Sequence, residues 1–192
     1  MSFDCVAPID YALIGKAVQY YVDHGYTYVE VPWAVSTSMS EKTLPEGKFA
    51  MRVSHPDILS ADLIGSAEQG LIDLVDRGKL DPNRNYVAVS PCFRAEAAVE
   101  AGVSQFTFMK VELFSLWSHF GTHQWHAWAF FRDNGLRCSR DVVSPDQEDL
   151  VSPCGVEMGS YGFRQNWSYG TGLALPRFST VLARQEKSDE HR

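Results

Sequence analysis

A chain of 192 residues, 45% of them hydrophobic and 12% aromatic, is long enough to build one well-packed domain. We expect that domain to cover residues 1–185 and a charged, flexible tail to follow at 186–192. The formal net charge of −7 argues against strong binding of nucleic acids, whose phosphates are neutralised by Lys and Arg. No apolar run is long enough to span a bilayer, so no membrane association is expected.

The predicted elements mix helices and strands along the chain. In order they are a helix at 12–23 that ends at Gly25, a strand at 27–31, a mobile loop at 36–47, a strand at 49–53, a mostly helical stretch at 58–77, a hairpin from 86 to 114, a helix at 121–134, strands at 136–143 and 155–167 around an acidic loop at 144–153, and a last helix at 172–185. Neighbouring hairpins favour an antiparallel sheet with helices packed against it. The predicted fold class is therefore α+β, and not a doubly wound parallel sheet.

The four cysteines are scattered without a Cys-x-x-Cys pair, and the amino terminus lacks the pattern of a signal peptide. Both features predict free thiols in a reducing, cytoplasmic compartment. Cys92 lies inside the hairpin, and we interpret it as a packing residue and not as a nucleophile.

The hairpin is the most informative stretch, because its first strand carries Arg94 and Glu96. Residues two apart on a strand point to the same face, so a guanidinium and a carboxylate would meet one ligand together. The return strand places Phe108 four residues before Glu112. On the hairpin alone, a surface salt bridge explains the Arg/Glu pair equally well.

Three further motifs stand around the hairpin in a fixed order. A helix at 11–24 is followed by a glycine turn and a strand that ends in proline at 32. A Ser-x-Glu sequence lies at 66–68, and a glycine-rich strand end at 170–172 precedes a helix that starts with Arg177. With the Phe-Arg-x-Glu hairpin, these motifs resemble those of the class II aminoacyl-tRNA synthetases, closest to the catalytic core of the seryl type.

The resemblance implies a fold, an activity and partners. It implies a six-stranded antiparallel sheet flanked by helices, and a homodimer formed through the helix and strand of the first motif. It also implies a ligase that binds ATP, Mg²⁺ and an amino acid. We expect no anticodon-binding domain and no tRNA-binding arm in this chain.

The resemblance also assigns roles at the nucleotide site. Arg94, Glu96 and Arg177 are the expected catalytic residues, with the two arginines on the phosphates of ATP. Adenine is expected to stack on Phe108, with Phe106 as the alternative. The remaining expected ATP contacts are Gly172, Glu112 and Glu157, and the two glutamates are also the expected Mg²⁺ ligands.

The expected amino-acid-binding residues are Ser66, Glu68, Glu96, Ser160 and Arg164. Arg164 departs from the seryl pattern and is similar to an arginine with which aspartyl enzymes and ammonia-dependent asparagine synthetases bind the aspartate side chain. An acidic substrate and a structural ion pair, for example with Glu96, are both open readings of this residue.

Three histidines at helical spacing, His119, His123 and His126, form a possible metal-binding face. No carboxylate stands among them, and aromatic residues surround them. We therefore interpret them as polar residues on a packing helix.

Three functions fit these motifs. The favoured one is activation of a small amino acid as an aminoacyl adenylate, which passes to a carrier protein, a small molecule or ammonia. The second is a reduced aminoacyl-tRNA synthetase that charges tRNA, which the acidic charge argues against. The third is a non-catalytic paralogue that senses an amino acid or ATP, which would have no reason to keep the phosphate-binding arginines.

Overall fold

The computed structural model describes residues 7–44, 50–55, 58–95, 100, 102–117 and 120–190. Its helices are α1 (Tyr11–Asp23), α2 (Thr37–Ser40), α3 (Ala67–Asp76), α4 (Gly121–Asp133) and α5 (Arg177–Glu190). Its strands are β1 (Tyr26–Tyr28), β2 (Ala34–Val35), β3 (Met51–His55), β4 (Ile58–Leu63), β5 (Asn85–Phe93), β6 (Thr107–Leu116), β7 (Ser139–Ser144), β8 (Gln147–Val151), β9 (Glu157–Arg164) and β10 (Trp167–Leu175).

Seven of the strands form the main sheet, in the order β1-β5-β6-β10-β9-β8-β7. The pair β1 and β5 is parallel, and every other neighbouring pair in this sheet is antiparallel. The strands β2, β4 and β3 form a small second sheet. The predicted α+β class is confirmed, with seven strands in the main sheet where six were expected.

The additional strand structure comes from stretches that were predicted as loop or helix. Half of the acidic loop predicted at 144–153 is the strand β8, which is fixed by pairing with β7 on one side and β9 on the other. Residues 58–63 form β4 and not a helix, because they pair with β2 and β3. Only α3, in the second half of the stretch at 58–77, is helical. The loop predicted at 36–47 contains the short helix α2, which Ser36 caps.

The last helix is shifted toward the end of the chain relative to its prediction. Residues 172–175 continue β10, and 173–175 pair with β6, so α5 begins only at Arg177. It continues to Glu190, past the predicted start of a charged tail at 186. There Arg137 pairs with Asp189 at 2.8 Å, which ties the final turns to the body of the protein.

The main sheet is covered on both faces. One core cluster joins α1, α4 and α5 to the sheet and includes Val111 and Leu113 of β6. The other joins α3 and includes Phe114 and Leu116 of the same strand. Side chains that alternate along β6 therefore face different helix layers.

No helix of the described ranges combines the length and apolar character needed to cross a membrane.

Candidate active site

A cavity of 280 Å³ opens beside α3 and brings most of the predicted site residues together. Those that line it are Ser66, Glu68, Arg94, Phe108, Glu157, Ser160, Arg164 and Arg177. They come from α3 and its cap, β5, β6, β9 and α5, so the cavity exists only when the sheet and two helices are assembled.

Arg94 and Phe108 form one wall of the cavity. Arg94 follows the last residue of β5, and its guanidinium carbon lies 5.1 Å from the centre of the Phe108 ring. Its Nε donates a hydrogen bond of 3.0 Å to the Gly65 carbonyl oxygen. A planar cation held by a backbone acceptor and an aromatic face is well placed to receive an anion.

Arg177 lies at the start of α5 and also lines the cavity. Its Nε donates to the Val103 carbonyl oxygen at 2.9 Å, and its Nη1 donates to the Glu157 carbonyl oxygen at 3.1 Å. The same Nη1 is 3.7 Å from the Glu157 carboxylate, which is 51% exposed. Two backbone carbonyl oxygens, those of Val103 and Glu157, thus hold the guanidinium in place.

Ser66 and Glu112 connect the cap of α3 to the floor of the cavity. Ser66 is the N-cap of α3, and its hydroxyl donates a short hydrogen bond to Glu112 Oε2. Lys110 Nζ donates to the other oxygen, Glu112 Oε1, at 2.9 Å. Both carboxylate oxygens of Glu112 therefore have a protein partner. The side chain is 0% exposed, so neither oxygen faces solvent.

Glu68 is a second buried carboxylate, in the first turn of α3. Trp167 donates a hydrogen bond of 2.8 Å from its indole Nε1 to Glu68 Oε1. Burial raises the pKa of Glu68, the nearby Glu112 carboxylate raises it further, and Arg164 opposes both. A carboxylate in this setting favours a ligand that brings positive charge, such as an ammonium group.

Arg164 lies at the end of β9 with its guanidinium 5.0 Å from the centre of the Tyr169 ring. Burial acts against its charge, yet Glu68 and then Tyr169 raise the pKa of Arg164 above its ordinary value. Near it, Gln147 donates a hydrogen bond of 3.1 Å to the Ser160 hydroxyl. This side of the cavity is polar and carries a persistent positive charge.

Three predicted residues lie in the described part of the chain but outside the cavity lining. Glu112 is fully buried and bonded to the lining residues Ser66 and Lys110. Phe106 is buried just before β6, where its carbonyl oxygen accepts from the Arg94 backbone N–H. Gly172 packs against Tyr21 of α1, where a Cβ would come within 2.8 Å of the ring. Its contact with ATP stays a prediction. Glu96 falls outside the described residues.

The lining residues that were missed from the sequence include Lys110, Gln147, Tyr169 and Thr171. Lys110 had a detectable signal, because it stands midway between Phe108 and Glu112 on the same face of a strand. The other three come from β8 and β10, and only the order of strands in the sheet places them here.

The expected magnesium ligands do not fit a shared metal site. Glu112 is shielded from solvent and already accepts from Lys110 and Ser66, whereas Glu157 lies at the exposed rim beside Arg177. Within the described ranges, no group of three or more His, Cys, Asp or Glu side chains is arranged to hold a metal ion. Glu157 alone fits the common case in which Mg²⁺ binds one carboxylate and the phosphates of its nucleotide.

The histidines belong to the packing of α4. His123 is fully buried, with Nδ1 2.7 Å from the Tyr26 hydroxyl and Nε2 3.0 Å from the Ser168 hydroxyl. Both ring nitrogens are thus engaged within the core. His126 is 3.3 Å from the same Tyr26 hydroxyl, and His119 lies outside the described residues.

Cys92 is fully buried in β5, and burial raises the pKa of its thiol to about 11. A thiol with this pKa carries almost no thiolate at neutral pH, which agrees with a packing role.

Solved structures that are similar to this chain include three synthetases. The cytoplasmic serine-tRNA ligase of Naegleria fowleri, in complex with AMP, has a TM-score of 0.72 at 17% identity over 90% of this chain and 47% of that one. The seryl-tRNA synthetase of Pyrococcus horikoshii, complexed with ATP, has a TM-score of 0.70 at 21% identity over 93% and 50%. A pyrrolysyl-tRNA synthetase of Desulfitobacterium hafniense has a TM-score of 0.68 at 14% identity over 89% and 66%.

The chain has the catalytic-core fold of class II aminoacyl-tRNA synthetases. It spans about half the length of the two seryl structures. A scan against models of protein families finds no match, and a search of curated proteins finds none. The resemblance inferred from the sequence motifs is therefore confirmed at the level of the fold.

Proposed function

We propose that this protein is a ligase that activates a small amino acid with ATP and forms an aminoacyl adenylate. The observation that carries the proposal is the single cavity into which two arginines, Arg94 and Arg177, and a buried carboxylate, Glu68, all open. Arginines suit phosphates, and the carboxylate suits an amino group. The known complexes of two structural neighbours with AMP and ATP support the assignment of the nucleotide.

In the proposed reaction, a carboxylate oxygen of the amino acid attacks the α-phosphorus of ATP. A new O–P bond forms, the bond from the α-phosphorus to the bridging oxygen breaks, and pyrophosphate leaves with that electron pair. Arg94 is assigned to the α-phosphate and the attacking carboxylate, and Arg177 to the departing phosphates. Phe108 is assigned to the adenine ring.

Ser66, Glu68 and Ser160 are assigned to the amino acid. Glu96 remains a proposed catalytic residue from the sequence motif. Magnesium remains in the proposal through Glu157 alone, where it would neutralise charge on the phosphates of ATP.

We assign the activated amino acid to an acceptor other than tRNA, such as a carrier protein or a small molecule. The net charge of −7 supports this assignment, because a tRNA-binding surface requires many Lys and Arg side chains. The reducing, cytoplasmic compartment predicted from the cysteines is part of the same proposal, and Cys92, Cys138 and Cys154 are free thiols.

A homodimer through the first motif is also proposed. The region around β1, at one edge of the main sheet, exposes large apolar side chains, including Tyr28 at 40% and Trp33 at 53%. Such side chains suit a protein interface. Sedimentation equilibrium of the wild type and of Trp33→Ala tests this part, and a wild type that stays monomeric contradicts it.

The activity is tested by exchange of labelled pyrophosphate into ATP, with Mg²⁺ and each of the twenty amino acids in turn. We expect exchange with one amino acid, and a loss on the order of 10² or more in Arg94→Ala, because one charge-stabilising donor is removed. The matched control is Arg84→Ala, which removes an exposed arginine that pairs with Asp81. A folded wild type that exchanges with no amino acid would overturn the activity.

A further inference from the structure

A buried lysine, Lys110, lines the cavity, and the sequence motifs give it no role. Its side chain is 10% exposed and lines the cavity, and its Nζ donates to Glu112 Oε1 at 2.9 Å. An ammonium group has three N–H donors, and Glu112 accepts one of them. Lys110 is thus able to bind a second anion from the cavity.

The place of Lys110 along β6 indicates which anion that is. Phe108, Lys110 and Glu112 alternate onto one face of the strand, with about 7 Å between neighbours in this series. Phe108 marks the proposed adenine end, and Glu112, with Ser66 bound to it, marks the amino-acid end. Lys110 lies between the two, at the level where the α-phosphate joins adenosine to the amino acid.

A second cation, the Arg94 guanidinium, lines the same cavity. Its central carbon lies 5.1 Å from the centre of the Phe108 ring, and Lys110 follows Phe108 by two residues on the same face of β6. An ammonium and a guanidinium therefore both face the part of the cavity beside Phe108. A phosphate group that binds both cations at once fits this arrangement.

We propose that Lys110 contacts the α-phosphate of the bound nucleotide and supplies there the positive charge that the family resemblance assigned to a metal ion at Glu112. The inference rests on the proposed function, since it requires the cavity to bind a nucleotide. Glu112 then acts as a positioning residue, because its carboxylate holds the Lys110 ammonium in place.

The test compares AMP with adenosine by calorimetric titration in EDTA, so that no divalent metal contributes to phosphate binding. The variant is Lys110→Met combined with Glu112→Gln, which removes the cation without leaving Glu112 as an unpaired buried charge. The control is Lys42→Met, which removes an equal charge from a half-exposed lysine that pairs with Asp76. Thermal denaturation of each variant measures whether it is folded.

We expect the wild type and Lys42→Met to bind AMP at least about tenfold more tightly than adenosine, and the double variant to lose most of this ratio while binding adenosine as before. A folded double variant with an unchanged ratio overturns the role of Lys110 and leaves the nucleotide site standing. A wild type that binds neither ligand overturns the nucleotide site itself.

A measurement on the wild type tests the contact between Lys110 and the phosphate even if the double variant does not fold. The modification of Lys110 by a small amine-reactive reagent is followed by peptide mass spectrometry with AMP or with adenosine at saturation. We expect AMP to protect Lys110 more strongly, because only AMP carries the phosphate. Equal protection by the two ligands contradicts the contact.

Discussion

Arg164 is the residue that bears most directly on which amino acid the proposed ligase would activate. Its guanidinium is half-buried over the Tyr169 ring, beside the hydrogen-bonded pair Gln147 and Ser160. Glu68 lies close enough to raise the pKa of Arg164, but no described carboxylate forms a salt bridge with it. A substrate whose side chain carries a carboxylate would form an ion pair with Arg164.

Arg164→Ala is expected to weaken binding of aspartate by about 2 kcal/mol, because the bound carboxylate loses its charged partner. Binding of serine should change little. Calorimetric titration of both amino acids into the wild type and the variant measures the difference. Arg140→Ala, which removes an exposed arginine paired with Glu148, is the control. A wild type that prefers serine contradicts the acidic substrate.

At the scale of elements, α3 packs closely against residues 31–32 because one of its positions is a glycine. Gly70 is buried, and a Cβ there would lie 2.8 Å from Val31 Cβ and 2.9 Å from the Pro32 carbonyl oxygen. Gly15 of α1 offers the opposite case, since a Cβ there meets nothing within 4 Å. The same substitution therefore meets close packing at Gly70 and open space at Gly15.

Gly70→Ala is therefore expected to lower the free energy of unfolding by about 1–3 kcal/mol, because backbone must shift to admit the methyl group. Gly15→Ala should raise it by about 0.5–1 kcal/mol, since alanine is the better helix former. Urea denaturation of both variants measures the two changes. A stability gain in Gly70→Ala would show that α3 can move away without cost.

The contact of α4 with the sheet depends on a neutral imidazole. Burial, and then the neighbouring His126, lower the pKa of His123 from 6.5 to about 3. The unfolded chain therefore takes up a proton before the folded chain does. The stability that neutral His123 contributes is complete above pH 6.5 and is lost as the pH falls from 6.5 toward 3.

His123→Gln is expected to reduce this loss, which amounts to about 1.4 kcal/mol for each pH unit below 6.5. The variant is less stable at pH 8, where it lacks the contacts to Tyr26 and Ser168, but its stability should fall less between pH 6.5 and 5. Urea denaturation across this range tests it. His24→Gln, which changes an exposed imidazole near the same helix, serves as the control.

At the scale of the whole molecule, the charge of −7 sets the response to polyanions. We expect filter binding at about 150 mM salt to give no complex with tRNA below about 10 µM protein. Affinity should also depend only weakly on salt, because few phosphates are neutralised. A tight complex whose affinity falls steeply with salt would favour the tRNA-charging alternative.

The sequence by itself determined the order of the motifs and the residue types that each one brings. Arg94 and Phe108 could be paired in advance, because the two strands of a hairpin are neighbours along the chain and alternation fixes which side chains share a face. The helices α1 and α4 were likewise predicted nearly to their ends. These features depend on contacts between residues that are close in sequence.

Only the tertiary structure decided the rest. The strands β4 and β8 form because partners on both sides accept their backbone hydrogen bonds, and their own residues favour other conformations. The Glu112 carboxylate could be read as a metal ligand until its burial beside Lys110 and Ser66 was known. The close packing of Gly172 against Tyr21 likewise exists only because α1 lies against β10. Long-range pairing and burial set these outcomes, and neither is encoded in local spacing.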